Sequence, residues 1–278
     1  MMSKIRLQCT PNPIEVLRLV MKLIKYLIVS TALASSVVLL NACSSVTDPA
    51  ETYKGETPNQ IFQRGEDALR DKSYSEAVKR FEALEVQYPL EHNTQTAELH
   101  IIYAYYMTQD YTSAEAAAER YIHSYPTSPH IDYAYFMLGL SNYYQNLGIF
   151  ERFFTIDLAT RDLTQVKKSF EDFSTIVRLY PNSPYAPAAH QYMIYLRNVL
   201  ADHELQVAKY YYGRKAYVAA ADRANVVVQS YQGATAVPEA LVMMAKSYRA
   251  LHLTQLENDS VKVLRYNYPN SSYLNEVS

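Results

Sequence analysis

Between Tyr74 and Gln87 the apolar positions are Tyr74, Ala77, Val78, Phe81, Leu84 and Val86. Their mostly three- and four-residue spacing predicts one apolar stripe along an α-helix. Tyr88-Pro89 follows, and proline ends a helix because it lacks the N–H and clashes with the preceding turn. Tyr-Pro recurs at 125–126, 180–181 and 268–269, and Tyr231-Gln232 reads as a degenerate fifth copy. The intervals between successive tyrosines are 37, 55, 51 and 37. A period in the mid-thirties with two longer intervals predicts a solenoid. Thr127-Ser128-Pro129 and Asn182-Ser183-Pro184 supply turn or capping residues before the next helices.

Placing each proline, or Gln232, at the last signature position of a tetratricopeptide repeat tests the register. Twelve residues upstream a small residue lets two helices cross closely; Ala77, Ala114, Ser169 and Ala220 stand there, and Glu257 does not fit. A further twelve upstream stand Gly65, Ala208 and Ala245, with Ile102 as the misfit. In the third repeat the matching glycine is Gly139, displaced upstream by the excess of 55 over 37. One insertion at 147–164, between the two helices of that repeat, accounts for both. The fourth interval exceeds 37 by 14, nearly four α-turns, which a long first helix over about 184–213 absorbs. The expected fold is therefore all-α: a tetratricopeptide-repeat superhelix of ten helices in five antiparallel pairs, with helices ending near Tyr88, Tyr125, Tyr180, Tyr231 and Tyr268. Each pair buries its stripe by stacking on its neighbours.

Composition narrows the picture further. Only 6 of 278 residues are glycine, too few for the tight turns of an all-β fold. A net charge of −2 argues against a binder of nucleic-acid backbones. Two cysteines allow neither a disulfide framework nor a Cys-rich zinc site.

Residues 1–42 read as a signal peptide whose true start is Met21. Lys22 and Lys25 precede an uncharged run over 27–40, short for a membrane span and right for the apolar region of a signal. Leu40-Asn41-Ala42-Cys43 then resembles a bacterial lipobox, so Cys43 is the expected site of lipidation; the alternative is an ordinary signal with an incidental cysteine. Several acyl chains anchor firmly, at about 0.8 kcal/mol per buried CH₂. Ser44 after the cysteine implies, by analogy with such lipoproteins, sorting to the outer membrane. Removing 1–42 takes away five basic residues and Glu15, leaving 21 basic and 27 acidic, a net −6. Residues 43–57 read as the lipidated cysteine and a flexible polar tether. Residues 58–146 hold repeats one and two and the first helix of repeat three, 147–164 the insertion, and 165–278 the remainder.

The chain carries little sign of catalysis. Its seven histidines form no HExxH pattern, and no GxSxG, phosphate loop or GxGxxG is present. Carboxylates are scattered over polar helix faces. No catalytic residue, metal site or cofactor is expected.

The 27 tyrosines, against 8 Phe and no Trp, read in two ways. Tyrosine packs well between helices, burying a ring and keeping a polar tip. Tyr74, Tyr111 and Tyr217 fit that role, each at the same interval before the repeat ends Tyr88, Tyr125 and Tyr231. Others fall where first helices of such repeats line a concave surface: Phe62, Glu66 and Arg70 in repeat one, Leu99, Tyr103 and Tyr106 in repeat two, and Tyr133, Phe136, Tyr143 and Tyr144 in repeat three. Core and groove both remain open for each of these.

Longer strings carry a more specific likeness. Ile102-Tyr103-Ala104-Tyr105-Tyr106, Ile131-Asp132-Tyr133-Ala134, Phe153-Phe154 with Asp157, Arg161 and Asp162, Tyr180-Pro181-Asn182-Ser183, Val207-Ala208-Lys209-Tyr210-Tyr211, Arg214 and Ala216–Ala220 with Arg223 resemble the outer-membrane assembly lipoproteins of the BamD (ComL) family. The similarity runs over 57–273 and departs at Leu90-Glu91-His92. It implies a non-enzymatic lipoprotein on the periplasmic face of the outer membrane, in the complex that folds and inserts β-barrel proteins. It implies binding of the barrel-forming subunit BamA, association with the lipoproteins BamC and BamE, and receipt of unfolded outer-membrane proteins through their C-terminal signal. Arg214 and Arg223 match family arginines in the region that docks the barrel subunit, although a surface arginine is also simply well solvated. The substrate segment is expected on Phe62, Arg70, Tyr103, Tyr106, Tyr133, Phe136, Tyr143 and Tyr144. A repeat lipoprotein that scaffolds peptidoglycan hydrolases or division proteins is the alternative role.

Overall fold

The computed structural model describes residues 48–49, 51–146 and 163–277. The signal peptide, Cys43, and the insertion with Phe153, Phe154, Asp157, Arg161 and Asp162 lie outside the described residues. The chain divides into two units, Met1–Thr52 and Tyr53–Ser278. Among the described residues the second holds ten α-helices and no strand: α1 (Pro58–Arg70), α2 (Tyr74–Gln87), α3 (Thr94–Met107), α4 (Tyr111–Ser124), α5 (Ile131–Asn146), α6 (Thr164–Leu179), α7 (Ala186–Gly213), α8 (Tyr217–Ser230), α9 (Val237–Ala250) and α10 (Thr254–Asn267), then a 3₁₀ turn at Ser272–Glu276. Each helix packs chiefly on its neighbours in sequence, as a one-dimensional stack requires.

Two turn designs alternate. All five second helices end at a tyrosine: Tyr88, Tyr125, Tyr180, Tyr231 and Tyr268 have φ of −137°, −128°, −127°, −120° and −131°. Extended φ is what a residue before proline adopts. Each tyrosine carbonyl then accepts an N–H from three residues on, at 2.9–3.1 Å (Glu91, Ser128, Ser183, Ala234, Ser271), a turn that favours proline at its second position. Gln232 keeps the same geometry without proline.

Within four of the pairs the turn is a Schellman motif. After α1, the Ser73 N–H donates to Ala68 O and the Lys72 N–H to Leu69 O; Asp110 and Gln109, Ala216 and Lys215, and Leu253 and His252 repeat the pattern. The left-handed residue is never glycine: Lys72, Gln109, Lys215 and His252 have φ of 59°, 65°, 61° and 58°. The low glycine content thus comes with a backbone cost at every one of these turns.

The helix crossings follow the small residues. Ala77, Ala114, Ser169 and Ala220 are fully buried. The Ser169 hydroxyl donates to Gly139 O at 2.8 Å, so even the polar member is satisfied on the facing helix. A Cβ on Gly65 would stand 2.5 Å from Phe81 Cε1, and one on Gly139 2.8 Å from Phe173 Cε1. The same glycine–phenylalanine fit therefore recurs in repeat three despite its displaced first helix. Glu257 departs from the pattern, because its carboxylate accepts from Arg249 Nε at 2.6 Å. The long α7 contributes Ala186–Leu200 to one hydrophobic core and Ala201–Ala208 to a second that runs to Val277.

Some of the tyrosines latch a helix to a neighbouring element. Tyr53 donates to Glu76 (2.8 Å), Tyr125 to Glu98 (2.7 Å), Tyr273 to Glu239 (3.1 Å), and Tyr105 to Glu82. Burial and the Glu98 carboxylate push the Tyr125 phenol up to about 12, so it stays a donor.

Candidate functional site

The first helices of repeats two and three present aromatic rings to one side at three- and seven-residue steps. On α5 these are Tyr133, Phe136 and Tyr143, with Tyr144 beside them; on α3 they are Tyr103 and Tyr106. All but Tyr103, whose ring partner is Tyr74, join into one wall. Tyr106 meets Tyr144 edge-on at 5.8 Å, and Tyr144 meets Tyr143 at 5.1 Å. Tyr143 contacts Tyr192 at 5.2 Å, and Tyr192 stacks on Phe173 at 4.8 Å and 11°. Phe173 contacts Phe136 at 5.8 Å, Phe136 stacks on Tyr185 at 5.0 Å, and Tyr185 reaches Tyr133 at 5.6 Å. Offset and edge-on rings at these separations attract one another beyond their burial, by about 0.5–1.5 kcal/mol a pair.

Next to the wall lies a groove of about 640 Å³, lined by Leu99, His100, Tyr103, Asp132, Tyr133 and Tyr185 among others. Tyr103 is 37 % exposed there and meets Tyr74 edge-on at 6.1 Å. The surface is mostly uncharged, with Asp132 as the acidic side chain of its lining. Burial pushes the Tyr143 phenol up to about 12 and raises Tyr133 and Tyr106 as well. Burial lowers His100, which lies against the Phe62 and Phe81 rings. Such a surface can take apolar side chains on its rings and backbone groups on its hydroxyls. Among the described residues no set of His, Cys, Asp or Glu is placed to hold a metal ion.

The other residues expected at this site lie elsewhere. Phe62 is buried at 6 % exposure. Arg70 pairs with Asp67 at 3.0 Å, one turn back on its own helix. It does not line the groove; its neighbour Leu69 does. Tyr185, Tyr192 and Tyr195 of repeat four were not foreseen in the wall, yet their seven- and three-residue spacing continues the same face. Tyr195 reaches Tyr143 at 6.1 Å.

The two arginines of repeat four differ. The Arg214 guanidinium lies 5.2 Å over the Tyr210 ring. Arg223 donates to Glu204 at 3.0 Å, joining α8 to α7; that carboxylate raises it, and the Glu204 side chain is only 10 % exposed.

Comparison with known proteins gives consistent matches. Residues 54–264 match the YfiO family, described as outer membrane lipoprotein. The outer membrane protein assembly factor BamD of Haemophilus influenzae is 36 % identical over 238 residues, covering 86 % of this chain and 90 % of that protein. The proteins of the same name from Pasteurella multocida and Vibrio cholerae are 34 % and 32 % identical, over 85 % and 87 % of this chain and 90 % and 99 % of theirs. Among solved structures PilW, a type IV pilus biogenesis factor, is similar over 79 % of this chain and 97 % of its own at 15 % identity; its TM-score of 0.33 is too low to bear on fold or function.

Proposed function

Because this chain belongs to the YfiO family of outer membrane lipoproteins, we propose that it serves, without catalysis, in the assembly of outer-membrane proteins. It is held to the membrane by lipid on Cys43, with its helical stack in the periplasm. Repeats four and five, around Arg214 and Arg223, dock the barrel-forming subunit BamA, and the lipoproteins BamC and BamE associate with it. The aromatic wall receives an extended, aromatic-bearing segment of an unfolded outer-membrane protein. The observation that supports this last step is the unbroken series of ring contacts from Tyr106 to Tyr133, beside a mostly uncharged groove.

Binding of this kind needs only burial and hydrogen bonding. Its affinity is modest, because the disordered segment loses conformational freedom on docking. Modest affinity suits a step that passes its cargo onward. The test is a titration with a synthetic C-terminal peptide of an outer-membrane β-barrel protein. The Tyr103→Ala, Tyr143→Ala double variant weakens binding tenfold or more, a loss of about 1.4 kcal/mol. Equal affinity, with the far-UV circular dichroism unchanged, returns these tyrosines to helix packing.

A further inference from the structure

The interface of α4, α5 and α6 holds a polar cluster short of donors: among the described residues Asn142 Oδ1 and Gln165 Oε1 are both buried without a partner. Asn142 is 1 % exposed, and its Nδ2 donates to Asp172 Oδ2 at 2.8 Å. Its Oδ1 is buried, and no donor among the described residues reaches it. The nearby donors are already engaged. Gln145 Nε2 donates to Glu115 Oε2 at 2.6 Å and to Tyr111 O at 3.3 Å. Gln165 Nε2 donates to Gln145 Oε1 at 3.0 Å, and Lys168 Nζ to Glu115 Oε1 at 2.9 Å. Turning the Asn142 amide over gives no relief, because Oδ1 would then face a carboxylate oxygen.

A proton on Asp172 supplies the donor that Asn142 Oδ1 lacks. An amide facing a carboxylic acid forms two bonds, one N–H to the acid and one O–H back to the amide oxygen. We propose that Asp172 is protonated in the folded protein near neutral pH, and that this proton couples the packing of α5 on α6 to the pH of the surroundings. The carboxylates around it favour the same state, and Lys168, which the Asp172 charge attracts, opposes it. Glu115 and Glu119 face it from α4, and Glu171 flanks it on α6. Lys168, the cation of the cluster, is engaged by Glu115. Tyr135 faces it from α5, and Tyr192 of α7 stacks on the adjacent Phe173. Burial, reinforced by these carboxylates and opposed by the Asn142 bond, lifts Asp172 to about 7.

The sign follows. A carboxyl raised in the folded state stabilises the fold while protonated, and that contribution fades as pH rises from about 4 through about 7. Between pH 5 and 8 the folding equilibrium loses a factor on the order of 100 through this group alone. The loosened contact lies next to Phe173, which fills the notch at Gly139 and carries the Tyr192 ring. The proton site stands whether or not the wall binds a peptide.

The experiment compares thermal unfolding of the detergent-solubilised full chain with that of Asp172→Asn from pH 5 to pH 8. An asparagine at 172 supplies the missing donor without titrating. The parent midpoint falls across this range; the variant loses most of the fall and is the more stable protein at pH 8. Identical slopes overturn the proposal. Infrared spectra of the unaltered protein provide a readout independent of the variant's folding. A protonated-carboxyl band present at pH 6 and bleached by pH 8 supports the proposal, and a carboxyl already ionised at pH 6 refutes it.

Discussion

Gly65→Ala tests the repeat register at its tightest point. The new Cβ falls 2.5, 2.7 and 3.0 Å from three atoms of the Phe81 ring, which is fully buried and flanked by Phe62 at 5.9 Å and His100 at 5.3 Å. The ring has nowhere to go, so overpacking costs about 1–3 kcal/mol. Alanine is favoured over glycine inside a helix by about 1 kcal/mol, which opposes that cost. The net destabilisation is about 0–2 kcal/mol. The sharper prediction is a change of sign. In a Phe81→Leu background the edge of the ring is gone, the clash disappears and Gly65→Ala becomes stabilising by up to about 1 kcal/mol. The coupling between the two sites is therefore about 1–3 kcal/mol. Urea unfolding of the four proteins, followed by far-UV circular dichroism, measures it. Additive effects, or an alanine that stabilises the parent, would show that Gly65 and Phe81 do not share a crossing.

Lys215→Gly relieves a left-handed residue and raises stability by about 1 kcal/mol in the same assay; a loss of stability counts against strain at the Schellman turns. Cys43→Ser leaves the membrane fraction, and mass spectrometry of the parent finds lipid on Cys43; an unmodified N-terminus at another residue removes the anchor. Arg223→Glu strands the poorly exposed Glu204 and destabilises the fold by about 1–3 kcal/mol, so co-purification of the barrel subunit is read with the Arg223→Glu, Glu204→Arg exchange. The exchange restores stability but not co-purification if Arg223 also meets the partner, and unchanged co-purification removes it from the interface. Arg214→Glu, which breaks no ion pair among the described residues, weakens co-purification without loss of stability.

The repeat was legible because its determinants are local. Proline after tyrosine stops four of the five second helices, and all five ends fall at the tyrosines named from spacing. Gly65 and Gly139 were legible because close crossings favour small residues at a fixed interval from the repeat end. Partners distant in sequence were not. The carboxylates that receive Tyr53 and Tyr125 lie 23 and 27 residues away on polar-looking faces, and only the helix stacking reveals them. Phe62 shows the limit of register arguments: it shares a repeat position with groove residues, but Phe81 and His100 close over it. Conversely, α7 extends the wall with Tyr192 and Tyr195 because its added turns carry the aromatic face beyond the third repeat.

The central claim is that the aromatic wall meets unfolded outer-membrane proteins during their assembly. Site-specific photocrosslinking in intact cells, with the reactive group at position 143 or 195, tests it most directly. The account predicts adducts with newly made β-barrel proteins that disappear once those proteins are folded, and that are lost when Tyr103 and Tyr106 are both alanine. Adducts confined to peptidoglycan hydrolases or division proteins, or none at either position while the protein stays folded and membrane-bound, would contradict it.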